Sequence, residues 1–194
     1  MISYQVMSEI DAVSPEDRRI LVGVFVVALL IGGAGIFFEM GNRSGTICKK
    51  TLPLAIATAI ESAVNNFYTE YGKLPDVGNR VTTNTAEGLK LLNILLGLDA
   101  KSDNALNSRA IKFLSVKEGK NKKNGLIYAA NEKSVEGLYD PWGNPYTVVL
   151  DVDFDEHLQF NYGAKSVELQ GRRVAVYSPG LDKKVGTSDD IKTW

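Results

Sequence analysis

The feature that most constrains this chain is an uninterrupted apolar stretch, residues 20–38, with the sequence ILVGVFVVALLIGGAGIFF. It contains no charged residue and no Asn, Gln, Ser or Thr, and it is bounded by Arg19 and Glu39. As an α-helix rising about 1.5 Å per residue it would span about 28 Å, close to the ~30 Å hydrocarbon core of a bilayer. A buried helix of a soluble protein usually has a polar stripe, which this stretch lacks. The stretch therefore predicts a single transmembrane helix.

A cleaved signal peptide is the alternative interpretation of this stretch. The apolar region of a signal peptide usually has about 7–15 residues and ends at a cleavage site with small residues. Here a polar arm precedes a longer stretch, which leads out through Phe37-Phe38-Glu39-Met40. These features favour a retained anchor, although basic residues on both sides give only a slight preference for one orientation.

Four segments follow from this interpretation. They are a polar N-terminal arm (1–19), a transmembrane helix (20–38), a flexible break (39–46) and an extracytoplasmic domain (47–194). The domain is long enough for one hydrophobic core but not for two. The net charge of −1 gives no electrostatic indication of nucleic-acid binding, and a lone cysteine, Cys48, excludes an intrachain disulfide.

Helix signals dominate the first part of the domain. Apolar residues recur at spacings of three and four, which predicts an amphipathic helix that starts near Ile47 or Pro53 and stops before Gly72. The residues with this spacing are Ile56, Ala59, Ile60, Ala63, Val64, Phe67 and Tyr71. A capping box at Asn84-Thr-Ala-Glu87 predicts a second helix over residues 86–96.

The last third of the chain has strand character. Turn-forming residues surround Trp142 in the segment 139–146, and β-branched or alternating runs predict strands at 146–150, 158–162 and 173–177. We expect the first two strands to form a hairpin. The expected fold class is α+β: an N-terminal transmembrane helix, then an amphipathic spine helix packed on a small antiparallel β-sheet.

The C-terminal tail is the strongest candidate site. Asp182, Asp189 and Asp190 fall in one loop with glycines between them. Carboxylates brought together without a cation repel one another, and Ca²⁺ takes about 6–8 oxygen ligands from carboxylates, carbonyls and water. The tail therefore predicts a calcium-binding loop.

A second acidic segment, Asp151-Val-Asp153-Phe-Asp155-Glu156, resembles the start of an EF-hand loop. Its sixth position is Glu156 instead of glycine, and its twelfth position is Tyr162 instead of a bidentate glutamate. We favour a charged hairpin turn over metal binding here. His157, the one histidine of the chain, is interpreted as a solvated turn residue.

Catalytic and cofactor motifs are missing from the sequence. It has no Gly-x-Ser-x-Gly, no His-Glu-x-x-His, no phosphate loop and no dinucleotide fingerprint. One histidine and one cysteine, far apart in the chain, give little material for a nucleophile–base pair. We therefore expect neither an enzyme nor a cofactor-binding site, and carboxylate-only hydrolysis is a distant alternative.

Taken together, the motifs resemble those of the major pseudopilin of type II secretion systems and, more broadly, of the type IV pilin-like family. They are the apolar N-terminal helix, Phe67-Tyr-Thr-Glu-Tyr-Gly-Lys-Leu-Pro75, Asp140-Pro-Trp-Gly-Asn-Pro-Tyr146 and the tail from Ser178 to Trp194. The resemblance covers about residues 20–194. It implies a structural subunit of a secretion or pilus-like assembly that contacts the inner membrane, itself, other pilin-like subunits and secretion machinery, with neither nucleic acid nor a small-molecule substrate as a partner.

The resemblance also implies a metal site and a location. Ca²⁺ pins the C-terminal loop in the major pseudopilins; Asp182, Asp189 and Asp190 match the carboxylate ligands, and the carbonyls of Pro179 and Lys184 would complete the shell. The implied localisation is the bacterial inner membrane, with a single pass and a periplasmic C-terminal domain.

One departure from the family pattern supports an alternative function. The processing motif of the family has a glycine followed by phenylalanine and a glutamate at the fifth mature position. Here Gly23 is followed by Val24-Phe25, and Ala28 stands where the glutamate would be. The alternative is a permanently membrane-tethered extracytoplasmic binding module with a pilin-like head that does not polymerise.

Overall fold

The computed structural model describes residues 50–100, 104–129 and 134–194, which all belong to one compact unit, Lys49–Trp194. The predicted polar arm, transmembrane helix and flexible break, together with Cys48, lie outside these residues.

Two helices occur in this part of the chain. The first, α1, covers residues 50–71, and its buried side chains Ile56, Ile60, Val64 and Phe67 recur at spacings of three and four along one face. It ends at Gly72, whose φ of +66° favours glycine and whose N–H donates to the Tyr68 carbonyl at 2.8 Å.

The second helix, α2, covers Ala86–Leu96. The Thr85 hydroxyl caps its N-terminus by accepting a hydrogen bond from Gly88 N at 3.2 Å. Gly97 ends it with a φ of +73°.

Eight strands form three antiparallel sheets in the described part of the chain. The strands are β1 (Arg80–Thr82), β2 (Gly125–Tyr128), β3 (Val135–Tyr139), β4 (Thr147–Leu150), β5 (His157–Tyr162), β6 (Lys165–Gln170), β7 (Val174–Ser178) and β8 (Ile191–Lys192). The largest sheet has the order β1-β4-β7-β8, and the other two are the hairpins β2–β3 and β5–β6.

The two central strands of the four-stranded sheet, β4 and β7, are buried on both faces. Because side chains alternate along a strand, β4 and β7 supply residues to two separate apolar clusters. Val148, Leu150, Val174 and Val176 belong to the cluster that contains the buried faces of α1 and α2. Val149, Ala175 and Tyr177 belong to the cluster that contains Leu158, Phe160 and Tyr162 of β5. The sheet therefore lies between the helices and the β5–β6 hairpin.

The expected fold class, a transmembrane helix followed by a spine helix on one small antiparallel sheet, is wrong. The described residues form two helices and three sheets of four, two and two strands. Within them, neither helix combines the length and the apolar character that crossing a membrane requires. The physical reason in α1 is its outer face, which carries the exposed polar residues Ser62, Asn66 and Glu70 opposite the core.

The expected localisation is contradicted as well. A single pass through the bacterial inner membrane with a periplasmic C-terminal domain requires a spanning helix, and the part of the chain that the structure describes has none. The stretch 20–38, on which that expectation rests, lies outside this part.

The predicted strand pairing is also wrong. Strand β4 pairs with β7 and β1, whereas β5 pairs with β6, from His157↔Gln170 to Tyr162↔Lys165. The sequence therefore predicts three strands near their observed positions but assigns a wrong partner to β4.

Candidate metal-binding loop

The candidate site is the connection between β7 and β8, residues 179–190. Its ends are held by the pairs Ser178↔Ile191 and Tyr177↔Lys192. Asp182, Asp189 and Asp190 come together in this loop, and one carboxylate oxygen from each lies within 4.8 Å of the others. Asp182 is exposed, Asp189 is half-buried and Asp190 is buried. The three residues singled out in the sequence thus form one cluster.

Backbone N–H groups orient all three carboxylates. Gly186 N and Thr187 N donate to Asp190 Oδ2 at 2.7 and 3.2 Å. Asp182 N donates to Asp189 Oδ2 at 2.9 Å, and Lys184 N donates to Asp182 Oδ1 at 2.8 Å. These bonds fix the loop so that its acidic side chains face one another.

The Thr187 hydroxyl lies among three acceptor oxygens. Its Oγ1 is 2.6 Å from Asp189 Oδ1, 3.1 Å from Asp190 Oδ1 and 3.3 Å from the Lys184 carbonyl oxygen. A hydroxyl carries one hydrogen and donates it to one acceptor at a time. The other two oxygens therefore receive no hydrogen bond from Thr187 at that moment. At this point the loop has more acceptor oxygens than the hydroxyl can satisfy.

This donor set fits a hard divalent cation. Oxygen ligands lie about 2.3–2.6 Å from Ca²⁺, so ligands on opposite sides of the ion are about 5 Å apart. One oxygen from each of the three carboxylates lies within this spacing of the others, so that one ion could contact all three. The Lys184 carbonyl oxygen faces the Thr187 hydroxyl at 3.3 Å, and the ligand roles of the Lys184 and Pro179 carbonyls both stay predictions.

Hydrogen bonding and burial shift the pKa values of two groups at this site, Asp189 and Tyr162. The hydrogen bond from Thr187, helped by the backbone N–H of Asp182, holds the pKa of the Asp189 carboxyl below its usual value against the opposing effect of burial. Burial, and then the hydrogen bond to Asp190, raise the pKa of Tyr162. Tyr162 therefore stays neutral and donates its hydroxyl hydrogen to Asp190 Oδ2.

A buried carboxylate anchors the start of the loop. Asp140 is fully buried, and its side chain accepts hydrogen bonds from Trp142 N, Asn144 N, Asn144 Nδ2 and Ser178 Oγ at 2.6–2.8 Å. Asn144 Nδ2 also donates to the Gly180 carbonyl at 2.6 Å. The turn after β3 is thereby joined to the first residues of the candidate loop.

Two further contacts support the later part of the loop, near Ser188 and Asp190. Lys50 Nζ, at the described start of α1, donates to the Ser188 carbonyl at 2.6 Å. Trp194 packs edge-on against Tyr162, with ring centroids 5.3 Å apart.

Sequence reasoning missed Thr187 and Tyr162 as supports of the acidic cluster. Tyr162 is distant in sequence, and only the fold brings it to Asp190.

The second acidic segment also forms a cluster. Asp151, Asp153 and Asp155 each place a carboxylate oxygen within 4.8 Å of the others, and Asp151 is buried. His157 Nε2 lies 2.9 Å from Glu168 Oε1 on the neighbouring strand, and neither side chain lies in the C-terminal cluster.

Comparisons with protein-family models, with curated proteins and with solved structures find nothing that matches this chain.

Proposed function

We propose that the chain is a pseudopilin-like structural subunit of a type II secretion or type IV pilus-like assembly, with a C-terminal loop that binds Ca²⁺. The observation that carries the proposal is the convergence of Asp182, Asp189 and Asp190 in the β7–β8 loop. These are the positions that the resemblance to major pseudopilins implies as ligands.

Contacts between distant motifs support this proposal. The segments 140–146 and 178–194, which carry much of the resemblance, are far apart in sequence. Asp140 nevertheless binds Ser178, and Asn144 binds the Gly180 carbonyl. The two segments thus act as one structural unit that presents the acidic loop.

Bound Ca²⁺ would supply positive charge that offsets the repulsion among the carboxylates. Asp182, Asp189 and Asp190 would hold the ion together with the Lys184 carbonyl, and the ion would fix the conformation of the β7–β8 loop. We propose that this rigid loop is a surface for contact with neighbouring subunits, so that Ca²⁺ promotes assembly.

Calcium binding is tested by thermal unfolding of the full-length protein with Ca²⁺ and with a chelator. A ligand that binds only the folded state stabilises it by RT ln(1 + [L]/Kd), which is about 2.7 kcal/mol at a hundredfold excess over Kd. We expect Ca²⁺ to raise the melting temperature of the wild type and to have a smaller effect on the double variant Asp182→Asn, Asp189→Asn. These two positions are chosen because Asp190 is buried, so that replacing it would disturb the fold.

The matched control is Asp76→Asn, which removes an exposed carboxylate from another part of the domain. It should keep the whole calcium shift. An equal shift in the double variant and in the wild type would exclude the C-terminal loop as the site.

Assembly is tested by cross-linking the full-length chain in its native cells, with and without Ca²⁺ in the medium. A structural subunit should give a ladder of cross-linked multimers, and the double variant should give a weaker ladder than Asp76→Asn. A chain that remains monomeric but keeps its calcium-dependent stability would overturn the subunit role and leave the calcium loop standing.

A further inference from the structure

A buried carboxylate oxygen in the turn after β4 has no hydrogen-bond partner among the described residues. Asp151 is only 2% exposed. Its Oδ2 accepts a hydrogen bond from Glu156 N at 2.9 Å, whereas its Oδ1 is buried and accepts none. Leaving a buried polar atom unpaired destabilises the folded state, and more so when the group is charged. The unpaired oxygen is therefore available to a partner that the protein itself does not supply, such as a proton, a water molecule or a cation.

Two further carboxylates lie beside Asp151. Oxygens of Asp151, Asp153 and Asp155 lie within 4.8 Å of one another. The described ion pairs include none of these three residues, and the nearby Arg173 pairs with Glu156 instead. The negative charge of the cluster is therefore not offset by a basic side chain among these pairs.

A proton or a cation could satisfy the unpaired oxygen. A proton shared between two carboxylates would leave the negative charge of the third one without a counter-charge. A divalent cation would contact all three at once, so the observed grouping favours the cation.

The backbone removes an objection that the sequence raises. Calcium loops of the EF-hand kind need a sharp turn at their sixth position, which is normally glycine. Glu156 occupies this position and itself has a φ of +59°. Tyr162, at the twelfth position, is paired in β5, so the turn is not a complete EF-hand, and carbonyls or water would supply the remaining ligands.

We propose that the turn 151–156 is a second site for an oxygen-preferring divalent cation of the Ca²⁺ class, separate from the C-terminal loop. Asp151, Asp153 and Asp155 are its carboxylate ligands. Glu156 O already accepts hydrogen bonds from Gly171 N and Arg172 N at 2.8 and 3.2 Å. A bound cation would therefore fix the β4–β5 turn against the β6–β7 turn.

Equilibrium dialysis of the purified full-length protein against ⁴⁵Ca²⁺ tests this proposal. Free Ca²⁺ is set at about 1 mM, the weak end of the range for extracellular calcium modules. We expect two ions per wild-type chain and one ion per chain of the double variant Asp153→Asn, Asp155→Asn. Both substituted side chains are exposed, so the variant should retain the fold, which circular dichroism checks.

The C-terminal double variant Asp182→Asn, Asp189→Asn and the control Asp76→Asn separate the two sites. If the turn binds Ca²⁺, combining the two double variants abolishes binding, and Asp76→Asn retains the wild-type number of ions. If the C-terminal site fails while the turn binds, the wild type holds one ion and the turn variant none. A turn variant that binds as many ions as the wild type overturns the proposal.

Discussion

At the scale of single residues, the C-terminal loop depends on one close backbone approach. Gly180 has a φ of +70°, and a Cβ atom at this position would lie 2.4 Å from the Asp189 carbonyl oxygen and 2.8 Å from Asp189 Oδ2. Only glycine combines this conformation with so little space. Asp189 can therefore face Asp182 because residue 180 has no side chain.

Replacing Gly180 by alanine should destabilise the protein by more than conformational strain alone. A left-handed backbone costs about 1–2 kcal/mol for a residue with a Cβ, and overpacking adds about 1–3 kcal/mol. Gly171→Ala is the matched control, because Gly171 has a φ of +68° and an added Cβ would meet nothing within 4 Å. Urea unfolding measures both losses. Equal losses would contradict the close approach between Gly180 and Asp189.

At the scale of secondary-structure elements, the ends of the helices could be predicted from the sequence. The pairing of the strands could not. Thr85, one residue after the predicted cap Asn84, caps α2. Gly97 ends α2 and Gly72 ends α1, because caps and left-handed glycines act within a few residues. Strand β6 escaped prediction because Val167 and Leu169 are its only apolar residues, and so short an alternation does not stand out in the sequence. The pairing of β4 with β7 depends on contacts between distant parts of the chain.

In the candidate site, too, the residues that are close in sequence could be predicted, whereas the contacts from distant elements could not. Asp182, Asp189 and Asp190 could be identified because they share one loop, and acidic residues close in sequence tend to lie close in space. The support from Tyr162 and Asn144 could not be foreseen, since β5 and the turn after β3 reach the loop only in the fold. The burial of Asp151 also depends on tertiary packing.

At the scale of the whole molecule, Tyr146 joins the first helix to the sheet. It is fully buried, and its hydroxyl donates to the Pro53 carbonyl in α1 at 3.1 Å. Its backbone N–H donates to Thr83 Oγ1 at 3.0 Å. Burial, and then the negative charge of Asp140, raise the pKa of Tyr146 well above its ordinary value. Global unfolding frees this hydroxyl from its buried position.

The raised pKa makes folding stability sensitive to alkaline pH. Above about pH 10, Tyr146 of the unfolded chain loses its proton while Tyr146 of the folded chain keeps it. The unfolded state then binds fewer protons, so the free energy of unfolding falls as pH rises. One such tyrosine contributes a loss of about 1 kcal/mol between pH 10 and pH 11.

Tyr146→Phe should be less stable at pH 8, by about 1 kcal/mol for the lost hydrogen bond, but should lose less stability between pH 10 and pH 11. Urea unfolding of both proteins at these three pH values measures the difference, in which the other titrating groups cancel. Parallel pH profiles would show that Tyr146 ionises equally in both states, contrary to its burial between helix and sheet.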